Sequence, residues 1–255
     1  VKKIVLSLND APGTGRTTTC ELVQGLWRQK GLGHSRWHTA ADQPGGPGRS
    51  RFVDLGTRLT DDEVIGWLDQ SSLVMVDVAT GDAAAMMENF VRGDLPEMLA
   101  EMDCTLTVMS VLNGQPRAEQ SLLQLAGLLR DDAEYVIVRR QSAGDGWLVP
   151  GCQRAMHHLG AVEIALPELP ATLAEAAAAE GQHAVEWMAR EAALPRLAQG
   201  WLRSWWLECD RRLEEAADLL WPDDLEACDF ERAMGMGGRG RRTSKKLTSA
   251  GPADA

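Results

Sequence analysis

The sequence predicts an α/β protein, a mainly parallel sheet covered by helices, with a helical C-terminal extension. Three observations predict it. Short apolar runs alternate with stretches of helical periodicity over the first 170 residues. The first apolar run ends in a glycine-rich turn that opens straight into a helix. Beyond Pro170 the chain changes to alanine- and leucine-rich helix formers.

Taken in order, Lys3 to Leu8 reads as a buried strand, and Asn9-Asp10-Ala11-Pro12-Gly13-Thr14-Gly15 as a turn. Thr17 to Lys30 has Leu22, Val23, Leu26 and Trp27 at helical spacing. A polar, Gly/Pro-rich stretch from Gly31 to Ser50 interrupts the pattern, and Asp61 to Asp69 resumes it as a short helix. Ser72 to Asp77 is an apolar strand ending in an acid. Pro96 to Met102 and the leucine-rich Glu119 to Arg130 read as helices, and Cys104 to Val111 and Glu134 to Val138 as strands. A last strand, Ala161 to Leu166, stops at Pro167 and Pro170. Ala171 to Glu180 is a strong helix former, and Pro195 to Leu220 places Leu197, Trp201, Trp205, Cys209, Leu213, Ala216 and Leu220 on one stripe of a long helix. The expected division is an α/β domain over 1–170, a helical extension over 171–234 and a basic tail of disordered composition over 235–255.

Composition narrows the function classes. In 255 residues, 44% hydrophobic and 25% charged, there is enough apolar chain for a real core. No run approaches the roughly 18 apolar residues of a membrane span, and the start does not read as a signal peptide. Five scattered cysteines without a C-x-x-C pair suggest neither a disulfide framework nor a zinc knuckle, so a reducing cytoplasm is expected. The net charge is −11, yet five basic residues (Arg239, Arg241, Arg242, Lys245, Lys246) and one acid lie after Gly235. A body this acidic has no general attraction for nucleic acid, so non-specific DNA contact would start in the tail, whose simpler reading is a solubilising segment.

The segment that carries chemistry is Ala11-Pro12-Gly13-Thr14-Gly15-Arg16-Thr17-Thr18, placed between a strand and a helix. Such a turn presents consecutive backbone N–H groups and a helix N-terminus, a cradle for nucleotide phosphates. Thr17 stands where a hydroxyl reaches Mg2+, and Arg16 where a cation meets the β- and γ-phosphates. The strict pattern has Gly at Asp10 and Lys at Arg16, and an ordinary glycine turn capped by threonine has the same composition. Asp77, closing an apolar strand, matches the acid that holds Mg2+ through water in phosphoryl-transfer sites, although an acid at a strand end is also a common surface feature.

With these residues in place the sequence resembles the ParA/MinD group of P-loop ATPases with a deviant Walker A motif, Lys-Gly-Gly-x-Gly-Lys-Thr-Thr, and so a sheet of P-loop NTPase type. The resemblance runs over about residues 3 to 170 and, as a whole pattern, looks most like the plasmid branch found in conjugation and mobilisation regions, of the TraL, StbB or MobD kind. It implies ATP and Mg2+ as cofactors, a homodimer, and partition or transfer proteins as partners. It also implies that Asp42, in Ala41-Asp-Gln-Pro44, positions the attacking water. Departures accompany the matches. The family's signature lysine falls on Ala11, its loop lysine on Arg16, and its base-contacting Asn is missing from Val136-Ile-Val-Arg139-Arg140. Arginine's planar fork does not replace an ammonium between two phosphates. The expectation is a ParA-like nucleotide switch with weak Mg-dependent ATPase activity. The rival is a catalytically degenerate adaptor that binds a protein partner through its C-terminal helices.

Other features read blandly. His157-His158 are neighbours that point about 100° apart on a helix, and His34 and His38 lie beside two glycines. Four of nine tryptophans (Trp187, Trp201, Trp205, Trp206) fall in the C-terminal helices, mostly as core, with part of that surface a candidate partner interface.

Overall fold

Strands that alternate with helices along the chain pair most readily in parallel, because each crossover helix returns the chain to the end of the sheet where the previous strand began. The computed structural model describes residues 2–39, 50–55, 59–140, 150–179 and 194–222, and has this architecture. Its strands are β1 (Lys2–Ser7), β2 (His34–His38), β3 (Ser50–Phe52), β4 (Leu73–Asp77), β5 (Cys104–Leu112), β6 (Glu134–Arg140) and β7 (Val162–Leu166). They form one sheet in the order β3-β2-β4-β1-β5-β6-β7, with every pairing parallel. The helices are α1 (Arg16–Gln29), α2 (Asp61–Gln70), α3 (Ala83–Arg92), α4 (Leu95–Glu101), α5 (Pro116–Leu129), α6 (Pro150–His158), α7 (Ala171–Ala179), α8 (Arg196–Glu214) and the single turn α9 (Ala217–Leu220).

Both faces of the sheet are covered, which is why the central strands are apolar at nearly every position. Alternate residues serve opposite cores. Ile4, Leu6, Val74, Val76, Val108 and Leu112 pack under α2 to α6. Val5, Leu73, Met75, Met109, Val136 and Ile164 pack under α1, α7 and α8. The helical extension therefore shares a hydrophobic layer with α1. Trp205 is buried there and donates its indole N–H to the Pro167 carbonyl at 3.0 Å. Trp206 lies against α1 at Gly25, where an added Cβ would meet the indole Cη2.

Four expectations need correction. The stretch from Gly31 to Ser50 contains β2 and begins β3, so His34 and His38 stand on a strand. The helices α3 and α6 carry no element in the sequence reading, though the His157-His158 pair is helical and exposed as expected. The C-terminal helix breaks after Glu214, and α9 follows. Its buried stripe is Leu202, Trp205, Cys209 and Leu213, while Leu197 and Trp201 are 64% and 43% exposed. Four-residue steps drift about 40° each on a helix of 3.6 residues per turn, so stepping back from Trp205 carries Trp201 and Leu197 onto the rim of the stripe.

A buried cation ties α9 to the sheet. Lys3, 2% exposed, donates to Glu134 Oε2 at 2.7 Å and to the carbonyls of Asp218 and Leu219 at 3.1 Å. Helix carbonyls without a following turn need such a donor. Thr107 adds a bond to the Leu219 carbonyl at 2.6 Å. Lys3→Met is expected to cost about 1–2 kcal/mol, because it takes the donor from the Asp218 carbonyl while Glu134, 38% exposed, turns to water and Thr107. Urea unfolding should show the loss as a lower midpoint with unchanged slope. The four described cysteines, Cys20, Cys104, Cys152 and Cys209, are free and buried. No helix among the described residues is long and apolar enough to cross a membrane.

Candidate functional site

In open α/β sheets a ligand sits beyond the carboxyl ends of the strands, where successive crossovers leave in opposite directions. Here that point is β1. The chain first builds β2, β3 and β4 on one side of it, then β5, β6 and β7 on the other. The glycine loop follows β1 directly, so the topology delivers it to this crevice.

The loop's conformation follows from its residues. Gly13 and Gly15 take φ of +68° and +87°, left-handed values that suit a residue without Cβ. Gly15 is the N-cap of α1, no side chain caps that terminus, and no acid lies in its first turn. First-turn amides left without a capping side chain favour an anion there. Pro12 and Gly13 are exposed, Thr17 and Thr18 are half-buried, and Ala11 and Thr14 are buried. Asn9, fully buried, anchors the loop: its Nδ2 donates to the Val111 carbonyl on β5 at 2.6 Å, and its Oδ1 accepts from the Ala11 amide at 2.7 Å. Asp10 accepts from the Gly81 amide at 3.2 Å, tying the loop to the segment after β4.

Beneath the loop lies a buried ionic cluster. Asp77 closes β4 with a side chain that is 0% exposed. Its Oδ1 accepts from Arg16 Nε at 3.2 Å and its Oδ2 from Arg36 Nη2 at 3.0 Å. Arg16 also donates from Nη1 to the Asn9 carbonyl at 2.6 Å. Arg36 reaches the same acid because β2 pairs with β4, and its Nη1 lies 3.7 Å from Glu21 Oε1 on α1. Burial, with the Asp77 charge added, pushes the neighbouring Cys20 thiol up and keeps it protonated. Arg16, expected over the phosphates, is thus turned inward beneath the loop.

A cavity of about 240 Å3 opens beside the loop. Thr14, Gly15 and Thr18 form one wall, Val138 and Leu166 contribute an apolar one, and Trp205 closes part of it. Arg140 Nη2 and Glu168 Oε1 pair at 2.8 Å beside it, each 42% exposed. Arg140 Cδ lies 3.8 Å from where a Cβ would stand on Gly15.

The two implied groups fare differently against these residues. An anionic phosphate chain fits the loop, since a Cβ added at Gly13 would meet nothing within 4 Å and the α1 terminus carries no side-chain cap. A divalent cation does not fit the acid expected to hold it. Both Asp77 oxygens already accept guanidinium N–H groups in a buried setting. Among the described residues, no group of three His, Cys, Asp or Glu is placed to hold a metal. Thr17, the other expected ligand, sits on the first turn of α1. Asp42, Cys228, Trp187 and the basic tail lie outside the described residues. Arg36 escaped the sequence reading. Its signal was the two-residue alternation of Arg36 and His38 against Ser35 and Trp37, weak because neither set is apolar throughout.

No family model matches the chain, and no curated protein matches it. Among solved structures it is similar to the MinD cell division protein of Aquifex aeolicus, with a TM-score of 0.48 and 14% identity over 85% of this chain and 98% of that one. It is also similar to the MinC:MinD cell division protein complex of the same organism, with a TM-score of 0.43 and 13% identity over 95% of this chain and 99% of that one.

Proposed function

We propose that the chain is a nucleotide-dependent switch of ParA/MinD kind. It binds the phosphates of a nucleoside triphosphate, ATP by the sequence resemblance, on the loop from Ala11 to Thr18. The bound state then alters dimerisation or partner contacts, in the setting of plasmid partition or conjugative transfer. The observation that carries this reading is the loop itself: two left-handed glycines and a helix N-terminus without a side-chain cap, at the point where the sheet changes direction. The cavity beside the loop is the place for the nucleoside.

The same geometry favours binding over fast hydrolysis. Arg16 spends its guanidinium on Asp77 and the Asn9 carbonyl, and Ala11 carries no cation. Phosphoryl transfer depends on positive charge placed over the transferred group. The adaptor reading has its own support in Leu197, Trp201 and Leu207, which are 64%, 43% and 64% exposed on α8.

Equilibrium titration of the full chain with a fluorescent ATP analogue, competed by unlabelled ATP, tests the proposal. Saturable, competable binding at micromolar concentration is expected, with phosphate release no faster than about 0.01 per second. Absence of competable binding would leave the adaptor reading in possession.

A further inference from the structure

We infer that Arg140 is the cation that meets the nucleotide's phosphate chain where it leaves the cavity, and that Glu168 holds this arginine until the nucleotide displaces it. This rests on the nucleotide reading above and adds to it the residue that supplies the charge and the acid that competes for it.

A phosphate chain on the loop calls for a cation, and the loop itself provides none. Ala11 carries no charge, and Arg16 is bound beneath the loop to Asp77 and the Asn9 carbonyl. Arg36 belongs to the same cluster, between Asp77 and Glu21, and those two carboxylates balance the two guanidiniums. The cluster therefore lends the phosphates no net charge. On the open side of the loop the situation differs. Among the described residues, the charged side chains that line the 240 Å3 cavity are Arg140 and Glu168.

The sheet delivers both to the loop. Arg140 ends β6 and is the register partner of Leu166, which ends β7, so Glu168 lies two residues further on, at the carboxyl edge of the sheet. Trp205 fixes that segment through its bond to the Pro167 carbonyl at 3.0 Å. Arg140 Cδ lies 3.8 Å from where a Cβ would stand on Gly15, the N-cap of α1. Its guanidinium begins one bond beyond Cδ, so a change of side-chain rotamer brings N–H groups to the helix N-terminus, the place for an anion.

Arg140 is held, but loosely. Its Nη2 donates to Glu168 Oε1 at 2.8 Å, and each side chain is 42% exposed. An ion pair this open to water contributes little. A phosphate chain carries more negative charge than one carboxylate and accepts the guanidinium fork in the same bidentate way, so it wins the exchange. The same exchange at Arg16 would break a buried pair and leave Asp77 short of a partner, which is why the exposed arginine is the one that moves.

The test is a titration with N-methylanthraniloyl-ATP, competed by unlabelled ATP and repeated at low and high salt, on the full chain and its Arg140→Met, Glu168→Gln and doubly substituted variants. Arg140→Met is expected to weaken binding about tenfold or more and to flatten its dependence on salt. Glu168→Gln is expected to tighten binding about two- to fivefold, because the arginine no longer has to leave a carboxylate. In the double variant that gain should vanish, since it acts through Arg140. Thermal unfolding checks that each variant keeps the fold. Binding by folded Arg140→Met within about twofold of the wild type overturns the inference. So does weaker binding with an unchanged salt dependence, which would put the side chain on the uncharged base. Glu168→Gln that binds no more tightly than the wild type overturns the holding role of the acid. Each of these results leaves the nucleotide reading standing. A wild-type chain without competable binding removes that reading, and the inference falls with it.

Discussion

Asp77→Ala is expected to lower the free energy of unfolding by about 3–5 kcal/mol, the cost of removing one partner from a buried charge pair and leaving the other. The carboxylate is the acceptor for two guanidiniums whose side chains are only 8% and 12% exposed. Without it both stay buried, Arg16 with its bond to the Asn9 carbonyl and Arg36 with its longer ion pair to Glu21 as what remains. The sign of the effect is diagnostic. An acid kept for a metal ion stands among like charges or open to solvent, and its removal relieves repulsion or changes little. Asp77 stands between cations, so its removal should destabilise strongly. Asp77→Asn keeps one acceptor oxygen and should lose less. Combining Asp77→Asn with Arg36→Met should recover part of the loss, because the two side chains interact directly and their effects do not add. Urea unfolding followed by tryptophan fluorescence reads all of this. A midpoint unchanged or raised in Asp77→Ala would show that the cluster does not hold β2 and β4 to α1.

The cluster also marks where sequence reading stops. Strands β1, β4, β5 and β6 were legible because burial on both faces demands unbroken apolar runs, and these are present as Ile4-Val-Leu6 and Leu73-Val-Met-Val76. The loop between Asn9 and Gly15 was legible because its glycines are required by their φ. His34-Ser-Arg-Trp-His38 was not, since one face of that strand carries two histidines and an ion-paired arginine in place of aliphatic residues. Arg36 faces Asp77 and Glu21, while Trp37 faces Trp67 with ring centroids 5.2 Å apart. A strand whose buried partners are charges reads as a polar loop. Asp77 was visible as an acid at a strand end, but its meaning depends on the β2–β4 register, which sets His38 opposite it and brings Arg36 to its carboxylate. Nothing local to either segment encodes that pairing. Similarly, the periodicity of α8 gave a helix but placed Leu197 and Trp201 in the stripe, because a four-residue repeat drifts and only packing shows where it leaves the core.

Gly15→Val is expected to weaken nucleotide binding by about a hundredfold or more, equivalent to about 2.7 kcal/mol or beyond. The residue has φ of +87° and caps α1, so its backbone orients the loop amides and the first turn of the helix together. A β-branched residue does not hold a left-handed conformation without strain of about 1–2 kcal/mol, and it relieves that strain by turning the peptide. Turning the peptide misaims the N–H groups that would face a phosphate, and charge-assisted bonds of that kind weaken steeply with angle. The added side chain also starts 3.8 Å from Arg140 Cδ, on the wall of the adjoining cavity. Gly66→Ala on α2 is the matched control. An added Cβ there meets nothing within 4 Å, and the substitution should raise stability by up to about 1 kcal/mol while leaving binding unchanged. Titration with the fluorescent ATP analogue, beside thermal unfolding of both variants, separates a lost site from a lost fold. A folded Gly15→Val protein that still binds would mean that the loop is not the phosphate cradle.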